Sequence, residues 1–223
     1  MIEPRLSLPA KVLHHLERGV TALLGRLPGF EFFRETADTQ VPATFDRWAA
    51  QRLFGINGTA YWPAHPTSVI SYTKRIRIGA ETSPGWSPGC YIHGVNGIVI
   101  GDYTQVSANV GIMSGNHDPY DLSEQRPAPP IVIGKYCLLG MGCVIMPGVV
   151  LGDYTMVGSN TVVTRSFPEG HVALGGAPAK VIRKLDPALA RDYVSARPYH
   201  GYIPADQFDD YCRRHLHVSD LPG

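Results

Sequence analysis

His117 stands in the run Asn116-His117-Asp118, at the head of a polar stretch, GNHDPYDLSEQRPAPP, that also carries Asp121 and Glu124. An imidazole has an ordinary pKa of about 6.5 and takes up a proton near neutral pH. A neighbouring carboxylate or amide can orient it through one ring nitrogen and leave the other to accept. Asn116, Asp118, Asp121 and Glu124 are spaced to do this, and the chemistry they suit is general-base activation of a nucleophile. A second cluster is Gly175-Gly176-Ala177-Pro178-Ala179-Lys180. Its small residues let an extended ligand approach the backbone, and Pro178 stiffens the chain there. Lys180 and Arg183 make a basic edge beyond it. No GxGxxG or phosphate-cradling glycine loop competes for a ligand.

These residues need a scaffold, and the scaffold shows as a period of six. Every sixth residue from Ile133 is aliphatic: Ile133, Leu139, Ile145, Leu151, Val157 and Val163. Four positions after each come Cys137, Cys143, Val149, Thr155, Thr161 and Phe167, mostly small or β-branched. Glycine follows the aliphatic at Gly134, Gly140, Gly152 and Gly158, and the phase extends upstream through Ile100-Gly101, Val106-Ser107 and Ile112-Met113. Neither helical nor strand periodicity gives six. A six-residue unit is one short strand and a tight turn, and three units close one triangular coil with the aliphatic inside. The expected fold is an all-β core, a parallel β-helix, with α-helical N- and C-terminal flanks.

The phase stops at Gly115 and resumes at Ile131-Val132-Ile133-Gly134, so 115–130 is a loop ejected from a regular coil, with His117 near its start. Loops held by a rigid scaffold are where function concentrates. The chain divides into a helical and irregular cap over 1–65, a β-helix over 66–182 and a helical tail over 183–223. Expected helices are Leu8 to Leu27, Thr44 to Leu53, one from Asp186 or Pro187 to Arg197, and a turn or two over Gln207 to His215.

Composition excludes several classes. Twenty basic against 19 acidic residues leave a net charge of +1, so no field gathers nucleic acid. Glu3, Arg5, Lys11, Glu17 and Arg18 break any apolar leader, and a cytoplasmic protein is expected. Tyr136 to Gly152 is uncharged, yet Gly140, Gly142, Pro147 and Gly148 do not suit a membrane helix, and no membrane span is expected. Cys90, Cys137, Cys143 and Cys212 form no CxxC pair and are read as core filling. Gly and Pro together make up 43 of 223 residues, which fits a fold built of turns rather than disorder, because 44% of the chain is hydrophobic.

The order IGDYTQVSANVGIMSGNHD, then the loop, then PPIVIGKYCLLGMGCVIMPGVVLGDYTMVGSNTVVTRSFPEGHVALGGAPAKVIRKL resembles the maltose, galactoside and xenobiotic O-acetyltransferase branch of the hexapeptide-repeat acyltransferases. YWPAHPTSV and SPGCYIHGVNG are similar to members encoded with capsule and O-antigen genes. The resemblance implies a left-handed β-helix working as a homotrimer, with each site in the cleft between two prisms. It implies acetyl transfer from acetyl coenzyme A to a sugar hydroxyl in surface polysaccharide synthesis, with His117 as general base. A loop carboxylate would pair with the base, Glu124 first and Asp118 second. Met141, Ser159, Thr164 and Arg165 fall where the family lines the coenzyme groove, and Lys180 and Arg183 where it contacts the phosphates. Asn116, Asn109 and His93 fall on the acceptor side. Asn109, like Asn96, is first of all a turn residue. Trp62, Trp86, Tyr91 and His93 are possible acceptor walls that read first as structural.

Alternative acceptors are the amino group of an amino-sugar nucleotide or an antibiotic hydroxyl, and a non-enzymatic β-helix scaffold is the bland alternative. Three-histidine zinc sites occur in carbonic anhydrases of this fold. His65, His93 and His171 do not recur at a suitable spacing from His117, so no metal is expected. Many relatives carry tryptophan where this chain has Leu138, which reshapes one wall of the acceptor or coenzyme channel.

Overall fold

The computed structural model describes residues 8–218; the first seven and last five residues of the two expected flanks lie outside the described residues. The period of six becomes three faces of a prism, which the chain visits in turn as A, B and C. Face A stacks Val69–Ser71, Tyr91–His93, Gly111–Met113, Val144–Ile145 and Val162–Val163 as parallel strands. Face B stacks Ile76–Ile78, Ile98–Ile100, Ile131–Ile133 and Val150–Leu151, with Phe167 bridging onto Leu151. Face C stacks Gln105–Val106, Leu138–Leu139, Met156–Val157 and Val172–Gly175. The fold is a left-handed parallel β-helix.

Ile133, Leu139, Ile145, Leu151, Val157 and Val163 all point inward and are at most 2% exposed. Burying one such side chain contributes about 1.5–3 kcal/mol, so the repeat itself supplies the core. Where face B turns into face C a glycine recurs, and the reason is contact between rungs: a methyl group at Gly101 would lie 2.7 Å from the backbone of Gly134 and Lys135. The four cysteines are buried free thiols.

Both open ends are covered. At the first coil, helices α1 (Leu8–Leu24), α2 (Phe32–Glu35) and α3 (Phe45–Arg52) lead into the buried Ala60, Tyr61 and Trp62. Helix α1 stops at Leu24, three residues short of expectation, and a turn carries on to Leu27. The Tyr61 hydroxyl donates to Ile76 O and accepts from Ile78 N, both at 3.1 Å, satisfying an edge strand that has no rung below it. Trp62 Nε1 donates to Pro84 O and Trp86 Nε1 to Pro42 O, so both indoles are structural. At the far end, Lys180–Lys184 folds back antiparallel on Val172–Gly175.

The tail corrects the expectation of a helix through Arg197. Only a short 3-10 turn, Pro187–Leu189, forms, with Asp186 Oδ1 accepting from Ala188 N at 2.9 Å. Beyond it the chain crosses the B-to-C corner, where Tyr103, Tyr136, Tyr154 and His171 stack with ring centroids 5.3, 5.0 and 4.8 Å apart. Tyr136 donates its hydroxyl to Tyr193 O, Tyr154 to the Asp192 carboxylate, and Ser195 N donates to the Tyr103 hydroxyl. Backbone groups held by this tyrosine column cannot also close helical hydrogen bonds. Helicity resumes in α4 (Ala205–His215), longer than the turn or two expected there. Its buried Phe208 and Cys212 pack onto the core at the first-coil end.

Candidate active site

The ejected loop is a β-hairpin. Its strands are Asn116–His117 and Gln125–Arg126, paired antiparallel so that His117 faces Gln125 and Asn116 faces Arg126. The Gln125 amide donates to His117 Nε2 at 3.3 Å, so Nε2 is held as the accepting nitrogen of the ring. The carboxylates expected at the ring are elsewhere. Asp118 accepts from Tyr120 N at 2.8 Å and faces Arg126 Nε at 3.7 Å across the hairpin. Glu124 is exposed and serves the turn through its backbone, its N–H donating to Asp121 O and its carbonyl accepting from Asp118 N. Asp118 is thus held to the turn and to the opposite arm of the hairpin, and Gln125 is the side chain bonded to the imidazole.

The hairpin is tied to the coil by buried polar groups. Ser114 is fully buried, and its hydroxyl donates to His93 O at 3.0 Å while accepting from Asn96 N at 2.9 Å. The Asn96 amide donates to Ser114 O at 2.9 Å and to Arg126 O at 3.2 Å, clamping the two arms where they leave the coil. Asn96 is therefore a turn residue with a positioning task.

His93 lies on the same side as His117. Its Nδ1 is 2.8 Å from Ser71 Oγ, and its ring lies between Tyr72, edge-on at 5.1 Å, and Tyr91, stacked at 6.0 Å. Burial, and then the charge of the neighbouring His117, hold His93 below the ordinary imidazole pKa, so it stays neutral near pH 7. Asn116 is exposed on the hairpin beside His117. Asn109 is not at this site: it occupies the C-to-A corner in the left-handed region (φ 58°), at the other end of Gly111–Met113, with its side chain over Gly89.

The residues expected to hold a coenzyme fall on two edges. Met141 and Ser159 occupy successive rungs of the C-to-A corner, Asn160 N donating to Met141 O at 2.9 Å. Gly176 follows one rung on, in the left-handed region at φ 95°. Thr164 and Arg165 lie at the A-to-B corner, with the Arg165 guanidinium 5.1 Å above the Phe167 ring. Lys180 and Arg183 are an odd number of residues apart and would project to opposite faces of a regular strand. A bulge between them restores a common side: Lys180 pairs with Gly175 and Arg183 with Ala173. Leu138, Met156 and Ala173 are in register below Arg183, an apolar strip on face C that ends at this cation.

Sequence reasoning missed Gln125 as the partner of His117. The available signal was symmetry, since a hairpin turning around Asp121 opposes 117 to 125. Among the described residues no group of three His, Cys, Asp or Glu is arranged to hold a metal ion. His65 is bound to Thr67 and His171 stacks on Tyr154, both away from His117. No described helix is long and apolar enough to cross a membrane.

Residues 130–165 match the bacterial transferase hexapeptide family of six repeats. The chain is similar to Nodulation protein L of Rhizobium meliloti (strain 1021), 42% identical over 121 residues that make up 52% of this chain and 63% of that protein. It is 41% identical to Nodulation protein L of Rhizobium leguminosarum bv. viciae over 121 residues, 52% of this chain and 61% of that one. The chain thus spans less than two thirds of the length of the curated relatives it matches. Among solved structures it shares its fold with a maltose O-acetyltransferase from Clostridium difficile 630 (TM-score 0.50, 24% identity, 78% of this chain and 89% of that one). It shares it also with a galactoside acetyltransferase in complex with coenzyme A (TM-score 0.52, 22% identity, 83% and 88%). The period of six, the stacked rungs and these likenesses agree on one fold, a left-handed parallel β-helix.

Proposed function

We propose that the chain is an acetyl coenzyme A-dependent O-acetyltransferase acting on a sugar hydroxyl, with His117 as general base, in the cytoplasmic synthesis of surface polysaccharide. The observation that carries this reading is the anchored hairpin: the coil between Gly111–Met113 and Ile131–Ile133 is interrupted by an ordered excursion, and that excursion presents His117 with Nε2 beside the Gln125 amide. A sugar hydroxyl that replaces the Gln125 amide at Nε2 surrenders its proton there as its oxygen attacks the thioester carbonyl. The proton passes on to the departing thiolate. His93, neutral and half-buried beside the base, and Asn116 line the acceptor side.

For the donor, the apolar strip Leu138, Met156 and Ala173 suits a pantetheine arm, and Lys180 with Arg183 suits its phosphates. Met141 and Ser159 supply backbone along one edge, Thr164 and Arg165 along the other. The working unit is a homotrimer with each site between two prisms. The hairpin tip supports this, because the large apolar side chains Tyr120 and Leu122 are 98% and 73% exposed on their own chain. Two relatives in the comparison are named as acetyltransferases.

The test is thiol release from acetyl coenzyme A across a panel of sugars, nucleotide sugars and antibiotics. Loss of a general base costs about 10²–10⁴-fold in turnover, so His117→Ala should fall in that range with coenzyme A binding unchanged. Equal turnover by the variant sinks the assignment. The preferred panel member separates a sugar hydroxyl from an amino-sugar nucleotide or an antibiotic.

A further inference from the structure

The column of residues at the B-to-C corner begins one rung below its tyrosines. Tyr103, Tyr136, Tyr154 and His171 hold the left-handed region on successive rungs. Tyr136 N donates to Asp102 O, Tyr154 N to Lys135 O and His171 N to Asp153 O, so each is tied to the residue before the corner one rung down. By the same register Tyr103 N donates to Ala80 O at 2.7 Å, which makes Glu81, also left-handed at φ 50°, the first member of the column. Here the corner carries a carboxylate instead of a ring. Glu81 is 5% exposed, and neither of its carboxylate oxygens has a hydrogen-bond partner among the protein's own groups. A pattern that breaks at a strained backbone position, with an uncompensated buried acid, marks that position for a task beyond packing.

Glu81 and Ser83 line a small cavity together with Thr36, Thr39 and Val41 of the N-terminal cap and Tyr199 and Gly201 of the tail. Three parts of the chain therefore meet around it. The cavity measures about 10 Å³, room for one particle the size of a water molecule. Its surroundings accept rather than donate. The Thr36 hydroxyl donates to Phe32 O at 2.7 Å and the Thr39 hydroxyl to Thr36 O at 2.8 Å, so both protons are already engaged. Glu81 N is engaged with Tyr199 O at 2.8 Å. The Ser83 hydroxyl is buried without a partner. Among the described residues no other lining residue carries a charge near neutral pH. The arginines of the cleft that shares Tyr199, Arg34 and Arg197, are both paired with Glu35. Burial raises the Glu81 carboxyl above the usual carboxylate range, and the Ser195 hydroxyl opposes this without closing a hydrogen bond. Buried charges are as a rule paired or coordinate a metal ion.

We propose that Glu81 and Ser83 hold one monovalent cation of about a water's size, K⁺ or Na⁺, which ties the cap and the tail to the first coil. Carboxylate and hydroxyl oxygens are the donors that hard cations take. One carboxylate against one positive charge leaves the cavity neutral, whereas a divalent ion would leave a charge buried and unpaired. The site stands apart from the acetyltransferase reading and does not depend on it.

The test is thermal unfolding of the full chain near neutral pH in potassium, sodium and tetramethylammonium chloride at equal ionic strength, tetramethylammonium being too large for the cavity. Potassium or sodium at about 100 mM should raise the melting temperature, saturably, by at least about 3 °C over tetramethylammonium. The ion with the lower half-saturating concentration is the one the site prefers. Glu81→Gln, close in shape and uncharged, should erase the difference while melting no lower than the parent in tetramethylammonium, because an unpaired buried charge has gone. Ser83→Ala should raise the half-saturating concentration at least about threefold. Equal melting in all three salts overturns the site, and so does a potassium or sodium effect that survives Glu81→Gln. Stabilisation by calcium chloride but by neither monovalent ion overturns the charge assignment. Melting that ignores the salts but falls as pH rises from about 5 to about 8, in the parent and not in Glu81→Gln, also overturns it and makes Glu81 a buried protonated acid.

Discussion

Replacing Ser114 by alanine tests whether the coil positions His117, the proposed base. Ser114 is fully buried at the root of the hairpin, and its hydroxyl makes two hydrogen bonds, to His93 O at 3.0 Å and from Asn96 N at 2.9 Å. Their loss is not symmetrical. His93 O still accepts from Ser114 N at 2.9 Å, so it remains satisfied, whereas the Asn96 N–H loses its acceptor. One orphaned, partly buried donor costs at most about 1–3 kcal/mol. For a chain of this length each kcal/mol lowers the melting temperature by about 2–4 °C, so Ser114→Ala should melt about 2–12 °C lower.

The catalytic consequence follows from the same bonds. Asn96 holds Ser114 O and Arg126 O together, and if its backbone shifts, both arms of the hairpin shift with it. A displacement of about 1 Å at a catalytic group can cost about 10²-fold, so thiol release should fall at least about tenfold, with coenzyme A affinity unchanged because the residues proposed for its arm and phosphates lie on face C. Ser123→Ala is the control: its hydroxyl bonds Asp121 at the exposed hairpin tip, and its loss should stay within about 0.5 kcal/mol. A Ser114→Ala protein that melts within about 1 °C of the parent and turns over at the parental rate would refute the anchoring argument.

Gly101→Ala should be strongly destabilising, by about 3 kcal/mol or more, because backbone 2.7 Å away cannot yield, whereas Gly111→Ala meets only Val144 side-chain atoms at 3.6 Å and should stay within about 1 kcal/mol. Urea midpoints that are equal for the two variants would contradict the packing between rungs. Burial pushes the Cys137 thiol up to about 11 and the Cys143 thiol up to about 12, from an ordinary 9.0. Stability from these thiols is complete below pH 9 and is lost as pH rises from 9 toward those values, because the unfolded chain ionises first. The slope is up to about 1.4 kcal/mol per pH unit for each thiol. Urea midpoints at pH 8.5 and pH 10 should show the fall, and Cys143→Val should lessen it; a flat profile would contradict the burial of both.

The coil was legible because its constraint is local and repeated. Each aliphatic at the sixth position has one inward slot, and each B-to-C glycine has one backbone approaching it, so the pattern could be read without knowing what lies opposite. The break at Gly115 was legible for the same reason. What opposes His117 was not, because Gln125 is set by a pairing register that only the folded hairpin fixes, while Asp118, its neighbour in sequence, is held by Tyr120 N and Arg126. Lys180 and Arg183 are three residues apart, and a regular strand would separate them. The bulge that reunites them depends on Val172–Gly175 running alongside. Asp186-Pro187 carries a sound helix-start signal, and it does cap one turn. Beyond it the hydroxyls of Tyr136, Tyr154 and Tyr103, distant in sequence, override local propensity.

The three corners of the prism differ chemically, and that difference decides where a ligand can lie. At the B-to-C corner the column Tyr103, Tyr136, Tyr154 and His171 is engaged with the chain's own tail, which occupies the hydroxyls and covers the edge. At the C-to-A corner Asn109 and Asn160 stack over Gly89 and Gly142, leaving little beyond backbone and the exposed Met141. At the A-to-B corner the hairpin leaves the coil. His117, Thr164 and Arg165 thus sit at one edge of face A and Met141 and Ser159 at the other, a strand of three residues or about 10 Å apart. One ligand laid across face A, or the edge of a second prism set against it, can join them. The tip residues Tyr120 and Leu122 favour the second arrangement, since isolated side chains of that size gain nothing in water and contribute on packing against a neighbour. A Tyr120→Ser/Leu122→Ser variant should therefore dissociate more readily in sedimentation and lose turnover together with assembly. A variant that stays assembled and fully active would return the whole site to a single chain.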